Sequence, residues 1–259
     1  MTALSHPVRD SVTMLRRNLL HTVRHPTVMI MAIGMPVLLL LLFVGVFGGA
    51  LTASAGAGGD YIDYVVPGIL LMTVGYGSTT TALAVNRDMT EGIINRFRTM
   101  AISRASVLTG HVVSAVLRML VSVGLVVGVA SLMGLRAGAD LVGWLGMVGV
   151  IALLGLALNW LAVAIGLSAR TVEGTAGFTI IVQVLPFLSS AFVPPDSMSG
   201  AVRWFARHEP FTPIIDTVRG LLMGTPVGGS APTAVAWCVG LALLGYLWAR
   251  ALFRRDPAV

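Results

Sequence analysis

Residues 141–167 read LVGWLGMVGVIALLGLALNWLAVAIGL, a stretch without a single charged side chain. A bilayer core is about 30 Å thick and requires about 20 apolar residues per spanning helix, so this stretch predicts a transmembrane helix. Only 11% of the 259 residues are charged, whereas ordinary soluble domains contain about 25%. The sequence therefore predicts an all-α integral membrane protein.

Similar uncharged runs recur on both sides of this stretch, and we count six in all. Residues 1–27 are predicted to form a cytoplasmic tail with a surface helix, and residues 28–259 a transmembrane domain. The predicted spans are Val28 to Leu51, Tyr64 to Val85, Ser106 to Leu135, Leu141 to Leu167, Gly174 to Val193 and Ala231 to Phe253.

The basic residues predict the orientation of these spans. All 17 are Arg, since the sequence contains no Lys, and cytoplasmic segments of membrane proteins carry an excess of positive charge. An inside N-terminus places twelve Arg in the cytoplasm and four outside, so we expect a multi-pass protein with both termini cytoplasmic. Abundant Arg, Ala, Gly and Val without Lys is typical of a GC-rich bacterial source and hence of a plasma membrane. The four predicted external residues are Arg136, Arg203, Arg207 and Arg219.

The segment before the first span has one apolar face. Its apolar residues recur at helical spacing beside several Arg, which predicts an amphipathic helix on the inner membrane surface. A solvated juxtamembrane helix is the alternative interpretation. The apolar positions are Val8, Val12, Leu15, Leu19 and Val23.

The absence of Lys also limits the chemistry of the chain. A phosphate-binding P-loop ends in Gly-Lys-Ser/Thr, so this sequence cannot contain one. Cys238 is the only cysteine, which excludes an internal disulfide or a multi-Cys metal site. We therefore predict no metal, no cofactor and no catalytic residue in this chain. The net charge of +6 is attributed to orientation in the membrane rather than to a nucleic-acid partner.

Two polar segments separate the spans and are candidates for function. Residues 86–105, on the cytoplasmic side, alternate Met89, Ile93, Phe97 and Met100 with polar positions at helical spacing. Such a short amphipathic helix either enters a groove on a soluble partner or rests on lipid headgroups.

The second polar segment, residues 194–229, lies on the predicted external side. It is predicted to form two short helices, Ser199 to Arg207 and Thr212 to Met223, because prolines interrupt the apolar pattern. This hairpin either dips into the membrane and covers the external end of a pathway, or forms a surface cap. The interrupting residues are Pro194, Pro195, Pro210 and Pro213.

Several motifs in these segments resemble type-2 ABC transporter permeases, and most closely the daunorubicin-resistance branch of drug exporters. Glu91-Gly92 through Ile102-Ser103-Arg104 resembles the cytoplasmic loop of that family that holds the coupling helix. Ala101, Ser199 and Ala201 depart from residues that are frequent in the family. The external motifs are Phe192-Val193-Pro194-Pro195-Asp196-Ser197-Met198, Trp204-Phe205, Glu209-Pro210-Phe211-Thr212-Pro213 and Asp216-Thr217-Val218-Arg219-Gly220-Leu221-Leu222-Met223-Gly224.

The resemblance implies a six-helix subunit that pairs with a second copy or a related permease and docks on two ATPase subunits. Those ATPase subunits would bind ATP and Mg, and the cargo would be a hydrophobic or amphiphilic drug, antibiotic or lipid-like molecule that leaves the cell. The residues expected to contact the ATPase are Glu91, Gly92, Ile93, Phe97, Arg98 and Arg104.

Further site residues are expected within and beside the spans. Ionisable groups in a bilayer are costly and therefore mark functional candidates. We expect His111 and Arg118 to line a polar route or to pair with a neighbour, and Asn159 to form an interhelical hydrogen bond. The pathway is expected to be lined by Phe178, Gln183, Leu185 and Phe187, with an external gate at Phe192, Pro194, Pro210 and Pro213.

Two functions of other classes remain open at this stage. A membrane-embedded lipid-modifying enzyme would require paired acid, base or metal residues near one membrane face, and only scattered residues such as His111, His208 and Glu209 are present. A passive channel or scaffold would act independently of any ATPase.

Overall fold

A computed structural model of the chain describes residues 26–52, 60–90, 104–169 and 171–254, apart from the side chains of 26–32, 51–52, 104–108, 111, 253 and 254. Within these ranges the chain is helical and contains no strand, which confirms the all-α prediction for that part. The predicted surface helix before the first span lies outside the described residues, as does most of the predicted coupling segment.

The helices are numbered here in chain order. Helix α1, Pro26–Leu41, continues through a π-helical turn, Leu42–Val46, into the short α2, Gly48–Thr52. Short 3-10 turns at Glu173–Thr175 and Leu185–Leu188 flank α6, and another lies at Pro195–Ser197. The remaining helices are α3 Tyr61–Thr90, α4 Arg104–Leu132, α5 Leu141–Ser168, α6 Ala176–Val184, α7 Gly200–His208, α8 Phe211–Met223 and α9 Ser230–Arg254.

Four helices of the described part are long and apolar enough to cross a membrane, namely Tyr61–Thr90, Val112–Leu132, Leu141–Ser168 and Ser230–Leu252. They coincide with the predicted second, third, fourth and sixth spans. The predicted first and fifth spans correspond to shorter apolar helices, Ile33–Val46 and Glu173–Leu188. The count of six spans therefore stays a prediction.

The fifth predicted span was too long at its C-terminal end. It was expected to reach Val193, but the helical segment ends at Leu188 and Ser189 is extended, with φ −119° and ψ −173°. Pro186 lies in the last turn, where its missing N–H and its ring oppose continuation of an α-helix. Residues 189–194 consequently form irregular backbone.

Helix α3 lies at the centre of the fold. About 72% of its apolar window is buried inside the chain, against 17% for the window of α9. Helix α5 packs against both α3 and α9. The most buried of these four helices thus connects the predicted external side to the predicted coupling segment, and α9 presents most of its surface outward.

Glycines allow the closest helix contact, between α9 and α5. A Cβ atom added at Gly245 would lie 2.6 Å from the backbone N of Leu161 and 2.8 Å from the carbonyl carbon of Trp160. Both neighbours are main-chain atoms, so neither can move without shifting α5. Gly240, on the same helix, has nothing within 4 Å of such an atom. Small residues at interfaces are what allow membrane helices to approach closely.

Replacing Gly245 with Ala should therefore destabilise the protein. The added methyl group forces α9 away from α5, and overpacking of this kind costs about 1–3 kcal/mol. Gly240→Ala is the matched control and should leave the thermal unfolding midpoint of the purified protein unchanged or slightly raised. Equal midpoints for the two variants would show that the α5–α9 contact is not as close as described.

Candidate functional site

Most of the irregular segment 189–194 is buried although it lacks regular secondary structure: residues 189–192 are buried and 193–194 are half-buried. Ser189 and Ser190 are each 1% exposed and Ala191 is fully buried. Buried backbone N–H and C=O groups must find hydrogen-bond partners, and in a membrane no water replaces them. Helices α8 and α3 supply these partners here.

Most of the partners of Ser190 lie on α8. The backbone N–H of Ser190 donates to Thr212 Oγ1 at 3.1 Å, and its hydroxyl donates to Asp216 Oδ1 at 2.8 Å. The carbonyl of Ser190 accepts from Arg219 Nη2 at 2.7 Å. From α3, the hydroxyl of Tyr61 donates to the carbonyl of Phe192 at 3.1 Å. These bonds hold the irregular segment between the two helices.

Arg219 joins all three elements. Its Nη1 pairs with Asp216 Oδ1 at 2.6 Å, its Nε donates to the carbonyl of Tyr64 at 3.3 Å, and its guanidinium lies 4.0 Å from the centre of the Tyr64 ring. Asp216 and Arg219 are three residues apart on α8 and therefore share a face. We call Tyr64, Ser190, Asp216 and Arg219 the external latch, because their contacts hold α8 and residues 189–194 on the first turn of α3.

Glu209 fixes the start of α8. Its two carboxyl oxygens accept the backbone N–H groups of Phe211 and Thr212, the first at 2.6 Å. These donors belong to the first turn, where no intrahelical acceptor exists. Glu209 is only 4% exposed. Burial raises the pKa of its carboxyl to about 7, although the hydrogen bonds from Phe211 and Thr212 oppose that shift.

A row of four aromatic rings lies beside the external latch. Phe43 stacks on Phe192 with ring centres 4.2 Å apart, and Phe192 stacks on Phe187 at 4.9 Å. Phe47 extends the row, 5.9 Å from Phe43. Phe43 lies in the π-helical turn after α1, so the row joins the predicted first span to the end of the fifth. Two residues assigned to different roles, Phe192 at the gate and Phe187 in the lining, are thus in contact.

The other predicted lining residues do not share one surface. Phe178 is buried at 8% exposure in the core of the chain, whereas Phe187 is 45% exposed. Gln183 and Leu185, which lie between these two residues in the sequence, are half-buried.

The prolines assigned to the gate, Pro194, Pro210 and Pro213, are likewise half-buried. Pro213 occupies the first turn of α8, as it does in the predicted helix Thr212 to Met223, and its missing N–H costs no intrahelical bond there. The apolar face of α8 packs inward, since Ile214, Val218 and Leu222 are fully buried.

A second contact site, at the opposite end of α3, was missed by the sequence analysis. Asn86 Nδ2 donates to the carbonyls of Gly166 and Ala169, at 3.3 and 2.7 Å, at the end of α5. A Cβ atom at Gly166 would lie 2.7 Å from the carbonyl oxygen of Ala82, so the two helices touch there. Asn86 Oδ1 is buried and has no partner in the described part of the chain. The only sequence feature that could have indicated this contact was an uncharged polar residue, Asn86, directly after the predicted end of a span.

The intramembrane polar residues have different surroundings. Asn159 Oδ1 accepts from Thr81 Oγ1 at 2.7 Å, which is the interhelical hydrogen bond expected for it. Thr79 and Thr80 instead donate to carbonyls of their own helix. The side chain of His111 lies outside the described residues. Within the described ranges, no three His, Cys, Asp or Glu side chains are grouped so that they could hold a metal ion.

The predicted coupling residues Glu91, Gly92, Ile93, Phe97 and Arg98 also lie outside the described residues. Arg104 begins α4, and its side chain is not described.

Comparison with known proteins relates this architecture to transporters. A family model described as ABC-2 type transporter matches residues 10–223. The daunorubicin resistance ABC transporter permease protein DrrB1 of Streptomyces coeruleorubidus is 30% identical over 237 residues, 91% of this chain and 80% of that protein. A Mycobacterium tuberculosis protein named as a probable doxorubicin resistance ABC transporter permease, DrrC, is 26% identical over 90% of this chain and 84% of its own length.

Arg219→Lys should weaken the external latch. Lys keeps the charge but cannot contact Asp216, Ser190 and Tyr64 together, and each buried acceptor left without a donor costs about 1–3 kcal/mol. The control is Arg207→Lys, because Arg207 pairs with Asp196 on the surface, where the side chains are 56% and 77% exposed and such a pair contributes about 0–1 kcal/mol. Thermal unfolding of both purified variants should separate them, and similar midpoints would contradict the assigned role of Arg219.

Glu209 should make stability depend on pH. Its pKa in the folded protein, about 7, lies above the ordinary 4.5, so folding favours the protonated form. The resulting stabilisation is complete below about pH 4.5 and is lost as the pH rises through about 7. The shift corresponds to at most about 3 kcal/mol. In Glu209→Gln, which has no charge to titrate, the unfolding midpoint should fall less between about pH 5 and pH 8; parallel pH profiles would exclude this role.

Proposed function

The chain belongs to the ABC-2 type transporter family, and from this premise we propose that it is the membrane-spanning subunit of an ATP-driven exporter. Its relatives are named as permeases of daunorubicin and doxorubicin resistance, which supports a hydrophobic or amphiphilic drug, antibiotic or lipid-like molecule as cargo. ATP and Mg belong to a partner ATPase, since this sequence contains no Lys and hence no P-loop.

The proposed assembly contains two ATPase subunits and a second permease, identical or related. The proposed topology has six spans and both termini in the cytoplasm of a bacterial cell. It is supported by the twelve-to-four distribution of Arg and by the bacterial origin of the relatives. The external latch then lies on the outer side of the membrane, and Asn86 on the inner side.

The observation that carries the proposal is the continuity of α3. The helix runs without a break from Tyr61 to Thr90, and 30 residues of α-helix are about 45 Å long. Its first turn carries the external latch, and the residue after its last turn is Glu91, the first predicted coupling residue. A displacement that the ATPase imposes on residues 91–103 therefore reaches the external latch through one continuous helix, in which Pro67, between the latch and the rest of α3, removes one backbone hydrogen bond.

The proposed cycle follows from this connection. ATP binding draws the partner subunits together and tilts α3, so that the external latch and the aromatic row Phe47, Phe43, Phe192 and Phe187 separate and an outward path opens. Transport out of the cell requires that the cargo bind the inward-facing state more tightly than the outward-facing state. Hydrolysis and release of the nucleotide restore the external latch.

The structure offers little support for a lipid-modifying enzyme. Such an enzyme needs a free acid or base that can reach its substrate. Glu209, the buried external carboxyl group, is occupied by two backbone N–H groups of α8. Its role in capping α8 accounts for the burial of Glu209, so no catalytic role is needed to explain it.

Replacing Phe97 or Arg98 with Ala should reduce co-purification of the ATPase, or leave ATP hydrolysis intact while transport falls. Both residues lie in the predicted coupling segment, and loss of an interface anchor costs about 2 kcal/mol or more, which is roughly a thirtyfold weaker complex. Trp204→Ala is the control, because Trp204 is 65% exposed on α7 at the opposite side of the membrane. Normal binding and transport in the two loop variants would refute the assignment of this loop.

A further inference from the structure

Arg118 is a charged residue without a partner in the apolar part of α4. It lies within the membrane-length window Val112–Leu132 and is half-buried. Its guanidinium forms no hydrogen bond or ion pair with any residue that the structure describes. An intramembrane cation is costly by at least about 2.5–3.5 kcal/mol at the bilayer centre, so a partner from outside these residues is required.

A second copy of this chain is poorly suited to supply that partner. Among the described residues, the acidic positions on membrane-length helices are Asp63 and Asp88, each the third residue from an end of α3. Arg118, in contrast, lies six residues, or about 9 Å, inside the window that begins at Val112. On these helices, no described carboxylate lies as far from a helix end as Arg118, which is 14 residues from each end of α4.

The direction of α4 determines where the Arg118 side chain can reach. Cα–Cβ bonds of a helix tilt towards its N-terminus, and long Arg side chains extend from apolar surroundings towards the nearest headgroups. Arg118 lies 14 residues from each end of α4, so the tilt of its side chain, and not its position, favours the N-terminal end at Arg104, on the proposed cytoplasmic side. An extended Arg118 side chain therefore approaches the phosphates of the inner leaflet.

The face of α4 beside Arg118 is apolar and outward-facing. Leu117 is 40% exposed, Val121 53% and Leu125 49%, and their spacing of four residues places them in one row along the helix. Acyl chains match such a row, and the guanidinium matches phosphate oxygens in a bidentate geometry. A cationic group beside a row of apolar side chains is therefore complementary to a phospholipid, which carries a phosphate above its acyl chains.

We propose that Arg118, Leu117, Val121 and Leu125 form a binding site for one anionic phospholipid, whose phosphate pairs with the Arg118 guanidinium. The assignment to the inner leaflet rests on the proposed topology, whereas the binding itself does not. The bound lipid neutralises Arg118 and makes the conformation of α4 dependent on the anionic lipid content of the membrane.

The test is native mass spectrometry of the purified full-length chain, titrated with phosphatidylglycerol or phosphatidylcholine. Wild-type protein should retain one additional phosphatidylglycerol per chain. Arg118→Gln should weaken this retention about tenfold or more, as expected for loss of a charge-assisted hydrogen bond, and Arg118→Lys should retain an intermediate amount. Arg136→Gln is the matched control, since Arg136 is exposed after the end of α4 and its replacement should change nothing.

Equal retention of phosphatidylglycerol by wild type and Arg118→Gln would overturn the site, as would equal retention of phosphatidylcholine by the wild type. Loss of permease pairing in Arg118→Gln with lipid retention unchanged would assign Arg118 to a carboxylate of a second subunit instead. If Arg118→Gln does not fold, the wild-type protein can be tested with spin-labelled phosphatidylglycerol. The bound lipid should give a motionally restricted signal. Unlabelled phosphatidylglycerol should displace this signal, and phosphatidylcholine should not.

The lipid measurement needs no ATPase, so its outcome is separate from that of the proposed function. Failure of the wild-type chain to associate with any ATPase would refute the exporter and leave the lipid site standing. Absence of selective phosphatidylglycerol retention would refute the lipid site and leave the proposed exporter standing.

Discussion

The fold depends on hydrogen bonds to a backbone that is neither helix nor strand. Residues 189–192 are buried among the helices of a membrane protein, so their polar groups must be paired within the protein. Arg219 meets much of this requirement, because one planar guanidinium reaches Asp216, the carbonyl of Ser190 and the carbonyl of Tyr64 in different directions. Without this residue, the buried carbonyl of Ser190 would lose the side-chain donor that holds the segment after α6 on α8.

The same contacts give α3 its part in the proposed cycle. One end of the helix carries the external latch, and the other carries Asn86, whose amide holds the last carbonyls of α5. Between these ends, α3 bonds to α5 through Thr81 and Asn159. The two contacts to α5, at Thr81 and at Asn86, couple α3 to that helix over its cytoplasmic half. The described geometry thus favours tilting of α3 and α5 together over local rearrangement.

Apolar run length was sufficient to predict α3, α4, α5 and α9 to within a few residues, because spanning a bilayer imposes a length that composition reveals. It failed at the end of the fifth span, since Ser189 to Val193 is uncharged yet irregular and its partners lie more than twenty residues away. Asp216 and Arg219 stood inside a recognised motif but were not selected as site residues. Their spacing showed a shared helix face and could not show that Ser190 and Tyr64 lie opposite. The contact of Asn86 was missed for the same reason, because its hydrogen-bond acceptors are backbone carbonyls at the end of another helix.

The three arginines discussed above illustrate how surroundings decide what a charge requires. Arg207 is exposed and pairs with an exposed Asp196, so water satisfies most of its needs. Arg219 is half-buried and is bound by Asp216 and by the carbonyls of Ser190 and Tyr64, which its own fold provides. Arg118 is shielded by apolar neighbours but has no protein partner in the described ranges, and the Leu117, Val121 and Leu125 row beside it points outward. A cation whose desolvation is not compensated within the described ranges needs a partner from outside them, and for the outward-facing side of a membrane helix we propose that this partner is lipid.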